Sequence, residues 1–365
     1  MAYIGRTPTG SILTGADIAD GSISTAKLAD TAVSTAKIAD DAVTFPKYVE
    51  APSFRNRIIN GDLSVAQRGT SFTNVASETY TIDRWNMSYR AVGNADIAQV
   101  DNKTYKSLKV TNSNGSAQEI IMRYRVEDIT QFHNDSFILS FFAKASTSCT
   151  LDTRVFENYG SGGSTTVTAV ASGSQNKTIT TTRQRFTVTF TASDMSSKTI
   201  GTSNFLEINF SVSLASSANW EYDSVQLEQG TTASDFELIP FDVNLKRCQR
   251  YFETFPSNGG DGVIGYGYGS GSDTARTMFP FKVTKRSAPT MSDSLSTSRQ
   301  YRINFTATDG TAVNQNSTST PSFGTISTLN SGYMNLSGFS SIGGGHNGFL
   351  IYNNNTTLLS ADAEL

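Results

Sequence analysis

Apolar residues recur at every second position through the middle of the chain. Phe186, Val188 and Phe190 alternate with Thr187, Thr189 and Thr191, and Leu206, Ile208 and Phe210 alternate with Glu207, Asn209 and Ser211. That period gives each segment one apolar face, as in a half-buried antiparallel strand. The same reading predicts strands over 103–111, 118–126, 136–145, 151–159, 184–192, 205–214 and 220–228. So many short strands with polar turns between them, within 54–240, predict a two-sheet jelly-roll sandwich.

Beyond residue 240 the period changes briefly. Leu245, Cys248, Tyr251 and Phe252 fall on one helical stripe, which predicts a short helix over 245–252. Strand patterns then return over 263–273, 277–283, 300–307, 321–329, 332–339 and 348–353, with Tyr301, Ile303 and Phe305 alternating cleanly. These predict a second, smaller β domain over 241–365.

The first 53 residues follow neither pattern. After a leader with Gly5, Pro8, Gly10 and Gly15, a decapeptide repeats from Ile18 to Lys47. Ile18, Leu28 and Ile38 lead the units, Ile23, Val33 and Val43 follow five residues behind, and Lys27, Lys37 and Lys47 close them. One chain of this kind cannot bury itself. At about 25 cal/mol per Å² its sparse apolar surface does not offset roughly 1–2 kcal/mol per residue of backbone ordering. Several copies side by side could turn the six apolar positions into a continuous seam. Ser24-Thr25 and Ser34-Thr35 are placed to cap single helical turns within it. The alternative is a flexible linker. Fully extended, the repeat reaches at most about 100 Å.

Composition narrows the function classes. Charged residues make up 17% of the chain and the net charge is −3, which argues against a nucleic-acid binder. Ser, Thr, Asn and Gly dominate the polar positions, as in an all-β protein built for exposure. The N-terminus lacks the apolar core of a secretory signal, and no eighteen apolar residues run together, so no membrane span is expected. Outward-looking composition without an export signal fits a particle released by lysis. Cys149 and Cys248 lie far apart without a zinc spacing and are read as free thiols.

Three motifs resemble a known family. NRIINGDLSVAQRGTSF with YTIDRWNM (56–87) is the first, WEYDSVQLEQGTTASDFELIPFDVNLKRCQRYFETF (220–255) the second, and SADAEL (360–365) the third. Together they resemble the tail fibre proteins of tailed bacteriophages, with a carbohydrate-binding-module-like jelly roll in the middle. MAYIGRTP and the repeats resemble the attachment regions of some marine phage fibres. The resemblance is specific for the first two motifs and weak over 256–359. It implies a homotrimer in the virion tail, assembled in the host cytoplasm. The N-terminus would be held by a tail adaptor or nozzle protein and the C-terminal domain turned to the host.

Related jelly rolls often carry a structural Ca²⁺, so the resemblance makes Asp62, Asp223 and Glu228 candidate ligands, with turn hydrogen bonds as the alternative. Trp85 and Trp220 read as core residues rather than sugar-stacking ones, and Asp83 and Arg84 as a structural pair. No cofactor is required by any motif. The two histidines form no legible triad, HExxH is absent, and GGDGVIGYGYG lacks the Lys-Ser/Thr of a phosphate-cradling loop. Its glycines suit tight turns and close chain approach around a threefold axis. No enzyme activity is expected, although a paired-carboxylate glycosidase is the rival reading. Adhesion remains. Aromatic faces stack on sugar rings while amides and hydroxyls take the hydroxyl hydrogen bonds. Tyr266, Tyr268, Tyr301, Tyr333, His346, Asn347 and Tyr352 supply both in the C-terminal zone. A host-surface polysaccharide, such as lipopolysaccharide, is therefore the expected partner, and a purely structural tail connector the alternative.

Overall fold

The computed structural model describes residues 54–90, 93–256, 262–293, 301–306, 312–317, 322–323, 328–339, 342, 347–352 and 358–365. The six seam positions and His346 lie outside the described residues. The described residues all belong to one compact unit within 53–365.

The chain is all-β. Two antiparallel sheets face each other in a jelly-roll sandwich. The first runs, in spatial order, Ser71–Val75, Ala95–Asp101, Lys106–Asn112, Asn219–Gln229, Ser136–Ala145, Gln184–Thr191. The second runs Lys177–Ile179, Cys149–Asn158, Phe205–Leu214, Gln118–Glu127, Trp85–Tyr89, Thr79–Tyr80, and Val167–Val170 also pairs with Cys149–Asn158. Alternation does what the sequence requires. Val188 and Phe190 point inward with Leu206, Ile208 and Phe210, and the intervening threonines of Gln184–Thr191 face solvent. Trp85 and Trp220 are fully buried among Tyr124, Phe141, Phe210 and Tyr222.

The Asn60-Gly61-Asp62 turn lies in a loop well before the first described strand. It docks on an irregularity in Asn219–Gln229, where the register shifts between Asp223 and Gln226. Val225 N donates to Gly61 O at 2.8 Å. A Cβ on Gly61 would collide with the Val225 carbonyl, so only glycine permits this approach. Buried Asn60 ties the loop together. Its amide donates to the Val65 and Asp83 carbonyls, both at 2.9 Å, and accepts from Val65 N.

The helix spans Phe241–Gln249, starting four residues and ending three residues before the predicted 245–252. Pro240 sets its start, Asp242 occupies the first turn, and Lys246 and Arg247 the last, each matching the helix dipole. Tyr251 and Phe252 lie past its end, and Phe252 opens a strand instead. Burial of both residues is real, but a turn and a strand produce it.

The second core belongs to two further antiparallel sheets. One holds Phe252–Pro256, Leu358–Asp362 and Thr290–Asp293. The other runs Ala312–Asn316, Tyr301–Thr306, Asn347–Tyr352, Gly262–Gly269, Ala275–Pro280, Ser331–Leu336, Ser322–Phe323. Phe255, Phe279, Phe281, Ile303, Met334 and Leu359 pack between them. A fully buried Lys285–Glu253 ion pair and the Lys285 bond to the Gln249 carbonyl join helix and sheet. Burial lowers the Lys285 pKa against the pull of Glu253.

Residues 362–365 return to the sandwich. Arg68 pairs with Asp362 at 3.1 Å and Glu364 at 3.4 Å, and buried Arg84 pairs with Glu364. Tyr80 OH and Arg125 both donate to the Leu365 carbonyl. Asp83 and Arg84 are therefore not partners of each other. Asp83 accepts from Gln67 N and Nε2, both at 2.6 Å, and Arg84 reaches the far end of the chain.

A third tie has a pH signature. Burial raises the Glu127 pKa, but hydrogen bonds from Arg250 and Tyr251 and the charge of Arg250 outweigh it, leaving a net lowering below 4.5. A lowered carboxylate pKa contributes stability above the unfolded value and loses it as pH falls through the folded one. Glu127→Gln should therefore lower the thermal midpoint at neutral pH. The gap to the parent should shrink as pH falls below about 4.5. A gap that is constant across a pH series from 7 to 3 would contradict this.

Candidate glycan-binding face

Strand Gly262–Gly269 carries the sequence GVIGYGYG at the centre of its sheet. Alternation sends Gly265 and Gly267 to one face and Tyr266 and Tyr268 to the other. On the inner face a Cβ at Gly265 would lie 2.6 Å from the Met278 carbonyl oxygen and 3.0 Å from Phe279 Cβ. These glycines thus serve close approach within one sheet, where the sequence suggested a threefold axis.

The outer face is open. Tyr266 is 68% exposed, Tyr268 43% and Met278 60%. Antiparallel register aligns them in two rows: Tyr266, Met278, Tyr333 and Tyr268, Arg276, Asn335. The two tyrosine positions on one strand stand about 7 Å apart, and neighbouring strands about 4.8 Å. Arg276 is hydrogen-bonded to Tyr268, and Tyr333 OH donates to Asn335 Oδ1 at 2.9 Å. The result is an aromatic surface edged by a guanidinium, an amide and phenol hydroxyls. Such a set can stack on apolar ring faces and bond hydroxyls at their rim.

Among the predicted residues, Tyr266, Tyr268 and Tyr333 come together here. Asn347 is the register partner of Tyr268 on the adjoining strand. Tyr352 lies at the far end of that strand, opposite Gly262 and Tyr301. Tyr301 belongs to the core. It is 1% exposed, with its hydroxyl donating to Asp293. Arg276, Met278 and Asn335 were not legible as site residues, because only strand register brings them beside the tyrosines.

The three candidate cation ligands do not form a set. Asp62 accepts from Asn244 Nδ2 at 2.8 Å and from Ser64 N at 3.3 Å. Asp223 takes a two-pronged bond from Arg183. Glu228 is fully buried and accepts from Ser234 N, Ser234 Oγ and Gln226 Nε2, with Arg55 at 3.6 Å. Each carboxylate already has cationic or N–H/O–H partners, an arrangement that does not fit a shared Ca²⁺. Among the described residues no three acidic, His or Cys side chains group as metal ligands. Cys248 is buried, Cys149 half-buried, and both thiols are free.

A second polar row lies in the sandwich, with Asn86 and Asn209 buried. Asn86, Arg123, Asn209 and Arg154 form one row across four strands. The Oδ1 atoms of Asn86 and Asn209 and the Arg123 Nε are shielded and lack a hydrogen-bond partner.

No protein-family model matches the chain, and no curated protein matches it. Among solved structures, it is similar to the N-terminal cellulose-binding domain of Cellulomonas fimi β-1,4-glucanase C. That match has 23% identity over 41% of this chain and 90% of that one, with a TM-score of 0.29. The family 11 carbohydrate-binding module from Clostridium thermocellum matches at 14% identity, over 45% and 98% of the two chains, with a TM-score of 0.29. The enzymatically active domain of bacteriophage CBA120 tailspike protein 4 matches at 14%, over 49% and 22%, with a TM-score of 0.33. With identities and scores this low, the jelly-roll assignment rests on the strand order of the two facing sheets.

Proposed function

We propose that this chain is an adhesin of a tailed-phage fibre and holds a host-surface glycan, such as lipopolysaccharide, on the Tyr266–Tyr268 face. The observation that carries the reading is the exposure of Tyr266, Tyr268 and Met278 on one face, with Arg276 and Asn335 beside them. The resemblance of 56–87 and 220–255 to phage fibres supports the setting. In that setting the arm 1–53 is held by a tail adaptor, and three copies of the chain raise a weak single-site affinity through effective concentration. The chain binds its glycan without chemical change. The shielded amide oxygens of Asn86 and Asn209 favour a second reading, in which sugar hydroxyls dock on the sandwich face.

The test is binding of the full chain to intact host cells and to purified host polysaccharide. Each ring removed should cost about 0.5–1.5 kcal/mol of stacking. Tyr266→Ala with Tyr268→Ala should thus weaken single-site binding roughly tenfold and leave the thermal midpoint unchanged. Undiminished binding by the double variant would move the site elsewhere. Loss on Asn86→Ala and Asn209→Ala instead would establish the second reading. Release of sugar fragments would overturn the claim that no reaction occurs.

A further inference from the structure

A cleft of about 330 Å³ opens where the 54–59 segment, strand Gln118–Glu127 and helix Phe241–Gln249 meet. Five arginines line it: Arg57, Arg84, Arg125, Arg247 and Arg250. Three are neutralised. Arg84 pairs with Glu364, Arg125 with Glu207, and Arg250 with Glu127. Asp128, also in the wall, is engaged by Thr130. Arg57 and Arg247 have no carboxylate within ion-pair distance among the described residues.

The hydrogen bonds show the same deficit. Arg57 Nε, Arg247 Nη1 and the Nε of Arg84, a side chain 99% buried, are shielded from water and lack an acceptor. Buried donors are rarely left unmet, least of all on charged groups. Two guanidinium groups without an ion-pair partner lining one cleft are suited to an oxyanion, which each can meet with parallel N–H bonds. The volume lies at the small end of ligand pockets, enough for one sugar ring and its charged substituent.

We infer that this cleft is an oxyanion site taking a phosphate or carboxylate carried on a sugar, with Arg57 and Arg247 as its principal donors. The inference deepens the adhesin reading, on which it rests for the source of the sugar, because it makes the recognised glycan an acidic one. The cleft and the tyrosine face are separate sites and can be tested apart.

Titration calorimetry of the full chain would use glucose 6-phosphate, galacturonate, glucose and inorganic phosphate as probes. One or both acidic sugars should bind, which tells phosphate from carboxylate, and glucose should not. Arg57→Gln with Arg247→Gln should weaken that binding at least tenfold. Both residues are only half-buried and unpaired, so the fold should persist, and an unchanged thermal midpoint would check this. The Tyr266→Ala, Tyr268→Ala variant should bind the same probes as the parent, so undiminished cell adhesion there with acidic-sugar binding intact would sink the tyrosine-face adhesin reading alone. Equal binding by parent and arginine variant, or no binding at millimolar probe, would overturn the inference. Inorganic phosphate binding as tightly as glucose 6-phosphate would remove the sugar from it.

Discussion

Replacing Arg84 by alanine should destabilise the fold by about 3–5 kcal/mol, the range for removing one partner of a buried ion pair. Its side chain is 1% exposed and that of Glu364 is 4% exposed. The guanidinium also donates to the Arg125 carbonyl and lies 3.6 Å from the centre of the Tyr251 ring. Arg68 remains near Glu364, at 3.4 Å, but its second contact is to the half-exposed Asp362. The cost therefore comes mainly from a stranded carboxylate. Arg84→Ala combined with Glu364→Gln should lose less than the sum of the two single changes. Urea unfolding measures all three. A single variant within 1 kcal/mol of the parent would show that the pair is not part of the stable fold.

Trp85→Ala should cost a similar amount, about 3–5 kcal/mol, for a different reason. The ring is wholly buried, with centroids 5.0 Å from Tyr124, 5.1 Å from Tyr222 and 6.2 Å from Phe210. Its Nε1 donates to the Asn60 carbonyl at 3.3 Å, so truncation opens a cavity and frees an anchor of the 56–65 loop. The comparison with Trp85→Phe separates these effects, since Phe keeps most of the volume and loses the bond. Were the ring a sugar platform, truncation would spare stability and weaken binding.

Strands whose two faces differ in polarity were legible from the sequence. Gln184–Thr191 and Phe205–Leu214 fall where their alternation put them. Ser71–Val75 was missed because its alternation is weak: SFTNV is mostly exposed and only Val75 is buried. The helix was misplaced because Tyr251 and Phe252 satisfy a helical stripe while being buried by other means. Tyr266 and Tyr268 stood out as the aromatic half of an alternation with glycine. Tyr301 stood out equally, and only its neighbours reveal that it faces the core. The arginine cleft was invisible for a related reason. Arg57 and Arg247 belong to different motifs, 190 positions apart in the chain, and their missing counter-ions are a property of space rather than of sequence.

The tie between Arg84 and Glu364 also orders events during synthesis. The two residues are 280 positions apart. At ribosomal speeds of about 5–20 residues per second, Arg84 emerges on the order of tens of seconds before its counter-ion exists. During that interval the nascent sandwich holds an unmatched buried charge and an unfinished edge. Its final stability arrives late, with the strand Leu358–Asp362 and the residues after it. A ribosome stalled anywhere upstream would leave a sandwich that chaperones and proteases can still open.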